Sequence, residues 1–190
     1  MEIYDYGNYD EYVKWQIYTN KEKAGWVYVK ESTIDQIAKD NPFSAMIMCH
    51  GTRAAGEQKY FRKYFPNAEI IGTEISDNAS NYPMTIQHDF NIQNPKWLGK
   101  FDIVYSNSID HSIDPSATLI TWRDQLSLTG KLYIEYSEWC SIPGGNVNDP
   151  LDATAEEIKK LLIDAGLSII STITEDVKGG GIVFICKRIL

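Results

Sequence analysis

Positive charge is what this sequence has least of: Lys and Arg total 18 against 26 Asp and Glu, a net charge of −8, and no stretch gathers basic residues. A protein that grips a phosphodiester backbone needs a cationic face to displace counterions, so the balance argues against nucleic-acid partners. Cysteine is sparse as well. Cys49, Cys140 and Cys186 are odd in number and widely spread, which suits neither a disulfide framework nor a zinc site with close-set ligands. They read as reduced thiols, and no metal is expected. No apolar run approaches the roughly eighteen residues of a membrane-spanning helix. The opening Met1-Glu2-Ile3-Tyr4-Asp5-Tyr6 lacks the basic-then-apolar order of an export signal. The expected compartment is the cytoplasm, with no membrane contact. Thirteen Gly and 7 Pro exclude a collagen-like or low-complexity chain, and no internal repeat or linker is visible.

What is present is enough apolar material for one core. The chain has 190 residues, 43% of them apolar, with five tryptophans, which suits a single domain over residues 1–190 and argues against disorder. Residues 1–42 differ from the rest, because eight of the chain's 23 aromatic residues fall before residue 30. Tyr9, Tyr12, Val13 and Ile17 share one face at helical spacing. A second helix is expected after Ser32, with Asp35 as its capping partner and Ile34, Ile37 and Ala38 inward, ending at Asn41-Pro42. This segment reads either as a helical cap that completes the core or as a lid whose aromatic residues wall a ligand pocket.

Residues 43–190 alternate strand and helix. Strands are expected at Ala45–Cys49, Glu69–Glu74, Met84–Asp89, Phe101–Ser106 and Lys131–Tyr136, the first a continuous apolar run typical of a strand covered on both faces. A helix following His50–Gly56 runs to about Phe65, with Tyr60, Phe61, Tyr64 and Phe65 inward. Asp114-Pro115 opens a second, which Gly130 stops. Thr154 and Glu157 form a capping box for a third, which Gly166 ends. Leu167–Thr174 and Ile182–Cys186, joined through Lys178–Gly181, form a final antiparallel hairpin. The pattern predicts an α/β fold: a three-layer, open, mostly parallel twisted sheet of about seven strands, with helices on both faces and an N-terminal helical lid.

Ligands of such sheets bind beyond the carboxyl ends of the strands, where strand order reverses. There Gly51 and Gly56 bracket a tight turn that opens a helix, whose free N–H groups are expected to form an anion site. Arg53 either forks onto a carboxylate or is an exposed first-turn arginine. Glu74 lies 23 residues after Gly51, near the spacing of an acceptor for ribose hydroxyls; the alternative is a solvated loop carboxylate. Asp89 is placed to accept from an adenine amino group with Phe90 over the ring, or to cap a following short helix. His111, past the fourth strand, is a candidate general base, since imidazole titrates near neutral pH, or a loop-bonding residue. His50 and His88 are expected to bond to backbone.

These segments resemble the class I, Rossmann-like S-adenosylmethionine-dependent methyltransferases. The resemblance covers about residues 44–190. It rests on Cys49-His50-Gly51-Thr52-Arg53, Ile70–Ser76, Gln87-His88-Asp89-Phe90 and, above all, Phe101–Pro115 with Leu128–Leu132. It implies S-adenosylmethionine as cofactor and a small-molecule acceptor, such as a sugar or another metabolite. By the same resemblance Gly51 with His50, Thr52, Arg53 and Gly56 would hold the methionine part, Glu74 the ribose, and Asp89 with Phe90 the adenine. Ser106 and Asn107 would line the floor near the sulfonium, and Glu138, Trp139 and the loop to Asp149 the acceptor side. The first turn departs from the pattern: Cys49 stands where an acidic residue is usual, and Arg53 and Ala55 where glycines are usual. A nicotinamide-dependent oxidoreductase and a non-catalytic nucleotide-binding protein of the same fold remain the alternatives.

Overall fold

Along a strand, successive side chains point to opposite faces, and the central strands of this chain are apolar on both. The computed structural model describes residues 1–138, 141–175 and 181–189. Its strands are β1 (Glu2–Ile3), β2 (Met46–His50), β3 (Glu69–Glu74), β4 (Thr85–Gln87), β5 (Phe101–Ser106), β6 (Leu126–Ser137), β7 (Leu151–Asp152), β8 (Leu167–Glu175) and β9 (Gly181–Arg188). Seven of them form one sheet in the order β4-β3-β2-β5-β6-β9-β8. The pairs from β4 to β6 are parallel, and β9 runs antiparallel to both β6 and β8.

Two helices cover each face. On one, α2 (Glu31–Asp40) and α3 (Gly56–Tyr64) bring Ile34, Ile37, Phe61 and the following Phe65 onto Ile47, Cys49, Ile103, Tyr105 and Tyr133. On the other, α4 (Pro115–Gln125) and α5 (Ala155–Asp164) bring Leu119, Trp122, Ile158 and Leu162 onto Met48, Val104, Leu132 and Ile134. This is the three-layer α/β architecture that the alternating pattern predicts. Trp122 is fully buried, so truncating it to alanine would cost about 3–5 kcal/mol. The caps form as read: Asp114 accepts from the Ala117 N–H at 3.0 Å, and Thr154 and Glu157 make the reciprocal box. Gly166 ends α5 at φ +78°. No described helix is long and apolar enough to cross a membrane.

Four local expectations are corrected. Helix α2 begins at Glu31 with Lys30 as its cap, and Asp35 pairs with Lys39 at 2.6 Å instead of capping. Helix α4 ends at Gln125, and Gly130 sits inside β6, where a Cβ would lie 2.4 Å from the Phe101 carbonyl oxygen. That glycine serves a close strand approach next to the register shift between β5 and β6. Just past the loop to Asp149, where no strand is expected, β7 pairs with β1. Finally, α1 (Tyr9–Glu22) buries Tyr12, Gln16, Thr19 and Asn20, while Tyr9 is 45% exposed and Val13 and Ile17 are half-buried. The buried face is polar because α1 lies on loops at the sheet's carboxyl rim, not on an apolar core. Trp139, Cys140 and residues 178–180 of the expected hairpin turn lie outside the described residues; Cys49 and Cys186 are buried free thiols.

Candidate functional site

Strand order reverses between β2 and β5, so the loops after these two strands diverge and leave a crevice. Gly51, at φ +71°, makes the turn out of β2, and a Cβ there would stand 2.6 Å from both Cβ and Oγ of Ser108 in the loop after β5. Only glycine permits that approach. The amides of the turn ahead of the helix are engaged: Gly51 and Thr52 both donate to the Thr73 carbonyl at 3.0 Å, and Arg53 N–H donates to Glu74 Oε2 at 3.0 Å. Arg53 (φ 41°) and Ala55 (φ 60°) are left-handed, at the two positions where the resemblance expects glycine. The backbone keeps the turn at a cost of about 1–2 kcal/mol for each such residue.

Glu74 and Asp89 converge on one small cavity of about 50 Å³, which Gly51, Arg53, Phe90 and His111 also line. Glu74 is 6% exposed, which excludes a solvated loop carboxylate; its Oε1 accepts from Ser76 N–H at 3.0 Å, and burial pushes its carboxyl above the usual range. Asp89 caps no helix. Its Oδ1 accepts from the Asn91 N–H at 2.9 Å, closing a turn, and its Oδ2 accepts from the Tyr9 hydroxyl at 2.7 Å. Phe90 is fixed from behind, since the Trp122 indole donates to its carbonyl at 3.1 Å. Helix α1 therefore covers this rim, Tyr12 donating to the His111 carbonyl and Gln16 bonding the His111 ring.

Beside it opens a larger chamber of about 390 Å³, lined by Gly51, Thr52, Arg53, Gly56, Asn107 and His111 among the expected site residues. Two expected residues face neither cavity. Ser106 is fully buried, donating to the His50 carbonyl and accepting from Ser108 N–H. The His50 ring lies in the core, stacked on Trp122 at 5.0 Å, and bonds the side chains of Thr73 and Gln125, not backbone. Burial lowers its pKa to about 3, so it stays neutral. His88 does bond backbone, at the Ile92 carbonyl. Ser137 at the end of β6 and Ser141, Ile142 and Asp149 from the loop after it reach the chamber wall, whereas Glu138 is exposed and does not line it.

Sequence reasoning missed three glutamates on that wall: Glu57 from α3, Glu135 from β6 and Glu175 from β8. Glu57 is 6% exposed and accepts from the Asn107 amide at 3.2 Å; burial raises its pKa to about 7. Glu135 accepts from the Tyr105 hydroxyl and shares a hydrogen bond with Glu175, and burial beside that like charge pushes its carboxyl far up. Glu175 also takes the Thr33 hydroxyl. The signal was available for two of them. Glu57 stands one helical turn before buried Phe61, and Glu135 shares the strand face of buried Tyr133. Asp110, His111 and Asp149 hold ligand atoms within 4.8 Å of one another, close enough to share a cation.

No protein-family model and no curated protein matches the sequence. Solved structures do. A Burkholderia thailandensis 1,6-didemethyltoxoflavin-N1-methyltransferase, bound to 1,6-didemethyltoxoflavin and S-adenosylhomocysteine, superposes with a TM-score of 0.65 at 11% identity over 83% of this chain and 76% of that one. The magnesium protoporphyrin IX methyltransferase of Synechocystis PCC 6803, with S-adenosylhomocysteine bound, gives 0.62 at 16% identity over 94% and 96%. The [4+2]-cyclase SpnF gives 0.63 at 12% identity over 83% and 80%. The chain has the Rossmann-like class I methyltransferase fold.

Proposed function

We propose that this protein is an S-adenosylmethionine-dependent methyltransferase acting on a small molecule, a single domain in which, of residues 1–42, α1 is the lid while α2 packs into the core. The observation that carries the reading is the convergence of the Gly51 turn, Glu74, Asp89 and Phe90 on one rim of this fold, beside a chamber that Asn107 and His111 line. Glu74 suits ribose hydroxyls, Asp89 an adenine amino group, and Phe90 the ring's face. The Gly51 turn, with Thr52, Gly56 and Arg53, borders the methionine end. In chemistry and backbone geometry these residues fit the donor. In volume the rim does not until α1 moves: about 50 Å³ lies well below the several hundred Å³ of ordinary ligand pockets. Entry of the nucleoside therefore withdraws Tyr9 and Tyr12.

The donor supplies a methyl group on positive sulfur, so the protein's main task is to align the acceptor in a dry chamber. His111 is equipped to take the acceptor's proton. The Gln16 amide nitrogen donates to the Tyr6 hydroxyl and the Asn148 carbonyl, so its oxygen faces the His111 Nδ1 at 2.9 Å. An oxygen there only accepts, which places the ring hydrogen on Nδ1 and leaves the Nε2 lone pair toward the chamber. Asp149 Oδ1, 3.8 Å from Nε2, steadies the imidazolium that forms. Calorimetric titration with S-adenosylhomocysteine tests the donor site; absence of heat from folded protein at millimolar ligand would overturn it. Because the fold also serves a cyclase, transfer of labelled methyl is the separate test of the reaction.

A further inference from the structure

The chamber wall is more acidic than a methyl-transfer site requires. Glu57, Asp110, Glu135, Asp149 and Glu175 line it, against Lys23 and Arg53 as the cations. Both cations sit toward other partners: Lys23 lies 4.0 Å from Asp149, and the Arg53 guanidinium donates to the Trp26 carbonyl and stacks over Tyr28 at 5.2 Å. Among the described residues the inner glutamates make no salt bridge, although the Arg53 charge bears on Glu57. Glu135 lies against Glu175, and burial beside that second carboxyl pushes the Glu135 carboxyl far up. Glu57 receives, apart from its own backbone N–H, only the Asn107 amide among the described residues, although it is 6% exposed. Its carboxylate thus faces the chamber with acceptor capacity unused. A buried anionic group without a counter-ion is costly, and a ligand bearing the opposite charge relieves that cost. The three do not come within 4.8 Å of one another as a metal's ligands would, so the fitting cation is larger than an ion and carries several N–H donors.

Building on the methyltransferase reading, we infer that the acceptor is an amine, bound as its ammonium by the Glu135–Glu175 pair, with Glu57 beside it and an apolar or aromatic body against Trp26, Tyr28 and Ile158. The N–H donors and positive charge of an ammonium match the carboxyl pair better than a neutral hydroxyl does. The pair holds the acceptor while His111 activates it: one N–H bond of the ammonium breaks, its proton forms an N–H bond on His111 Nε2, and the electron pair stays on nitrogen as the nucleophile.

The test uses full-length protein and two probes that differ in one group, tryptamine and tryptophol, titrated with and without saturating S-adenosylhomocysteine. Tryptamine should bind at least tenfold more tightly than tryptophol in both conditions. In the double variant Glu135→Gln/Glu175→Gln, the preference should fall below twofold, with circular dichroism confirming that it folds; if that variant unfolds, the wild-type preference alone decides. Equal affinity for the two probes, or a preference that survives the substitutions, overturns the inference. So does mutual displacement of tryptamine and S-adenosylhomocysteine, which would assign the carboxylates to the donor's own ammonium. Failure of the donor reading looks different: S-adenosylhomocysteine gives no heat while the amine preference stands.

Discussion

Tyr9→Phe separates a lid from a plain structural cap. The Tyr9 hydroxyl donates to Asp89 Oδ2 at 2.7 Å, and the other Asp89 oxygen is held by Asn91. Removing the hydroxyl leaves an 8% exposed carboxylate with one oxygen short of its donor whenever α1 is seated. Hydrogen bonds to charged groups contribute about 1.5–3 kcal/mol. Tyr9 is 45% exposed, so water replaces part of the bond, and about 1 kcal/mol is the realistic figure. If the nucleoside enters only when α1 lifts, the seated form competes with ligand. Weakening it by about 1 kcal/mol raises apparent affinity about fivefold. The variant should thus bind S-adenosylhomocysteine more tightly by calorimetry while melting at a lower temperature. General damage lowers both, so the opposite signs are diagnostic. Unchanged or weaker binding would refute the view that Tyr9 occupies the donor's place.

Gly51→Ala forces a left-handed alanine and sets its methyl 2.6 Å from Ser108; a loss of about 1–3 kcal/mol in urea unfolding is expected, with weaker S-adenosylhomocysteine binding, and wild-type stability would refute the close approach. His111→Gln should leave S-adenosylhomocysteine affinity within about twofold while lowering turnover by about 10²–10⁴, read by labelled-methyl transfer once an acceptor is known; unchanged turnover removes the base. Glu57 has its folded pKa raised to about 7 from 4.5. A raised carboxyl contributes stability below its unfolded pKa and loses it as pH climbs through the folded one, so wild type should lose up to about 3 kcal/mol relative to Glu57→Gln between about pH 4.5 and 7. A pH-independent gap in urea titrations would show that Glu57 is not buried as described. His50 acts in the reverse direction: lowered to about 3, it withdraws stability as pH falls below 6.5, so His50→Gln should narrow the gap between neutral and acid stability.

The sheet was legible because its strands are covered on both faces and must be apolar throughout, which leaves little else for Ile47-Met48-Cys49 or Ile103-Val104-Tyr105 to be. Carboxylates at strand ends were legible for a related reason. Glu74 follows directly on an apolar strand and Asp89 stands two residues past the end of a third strand, so their places follow from topology. The rim's cover was not. Helix α1 buries Gln16, Thr19 and Asn20, and a helix seated on polar loops has no apolar stripe to announce which side faces inward. Gly130 misled for the same reason that glycine often does: the residue that ends a helix and the residue that lets two strands touch are identical on paper.

The first turn shows how much a motif can be altered while its geometry stays. Cys49 replaces an acidic residue, and its fully buried thiol offers no substitute for a carboxylate. Arg53 and Ala55 replace glycines yet adopt the left-handed conformations glycine would give. What holds them there is visible. Ala55 is fully buried, and its N–H donates to the Thr52 carbonyl at 2.8 Å. Arg53 is pinned at both ends, its N–H on Glu74 and its guanidinium over Tyr28. Those contacts offset a backbone cost of about 2–4 kcal/mol for the two residues together. They also tie the turn to Glu74 on one side and to the Trp26–Tyr28 wall on the other. The turn, the Glu74 carboxylate and the chamber's aromatic wall are therefore one mechanical unit, and a ligand that draws Glu74 away from the Arg53 amide must move all three.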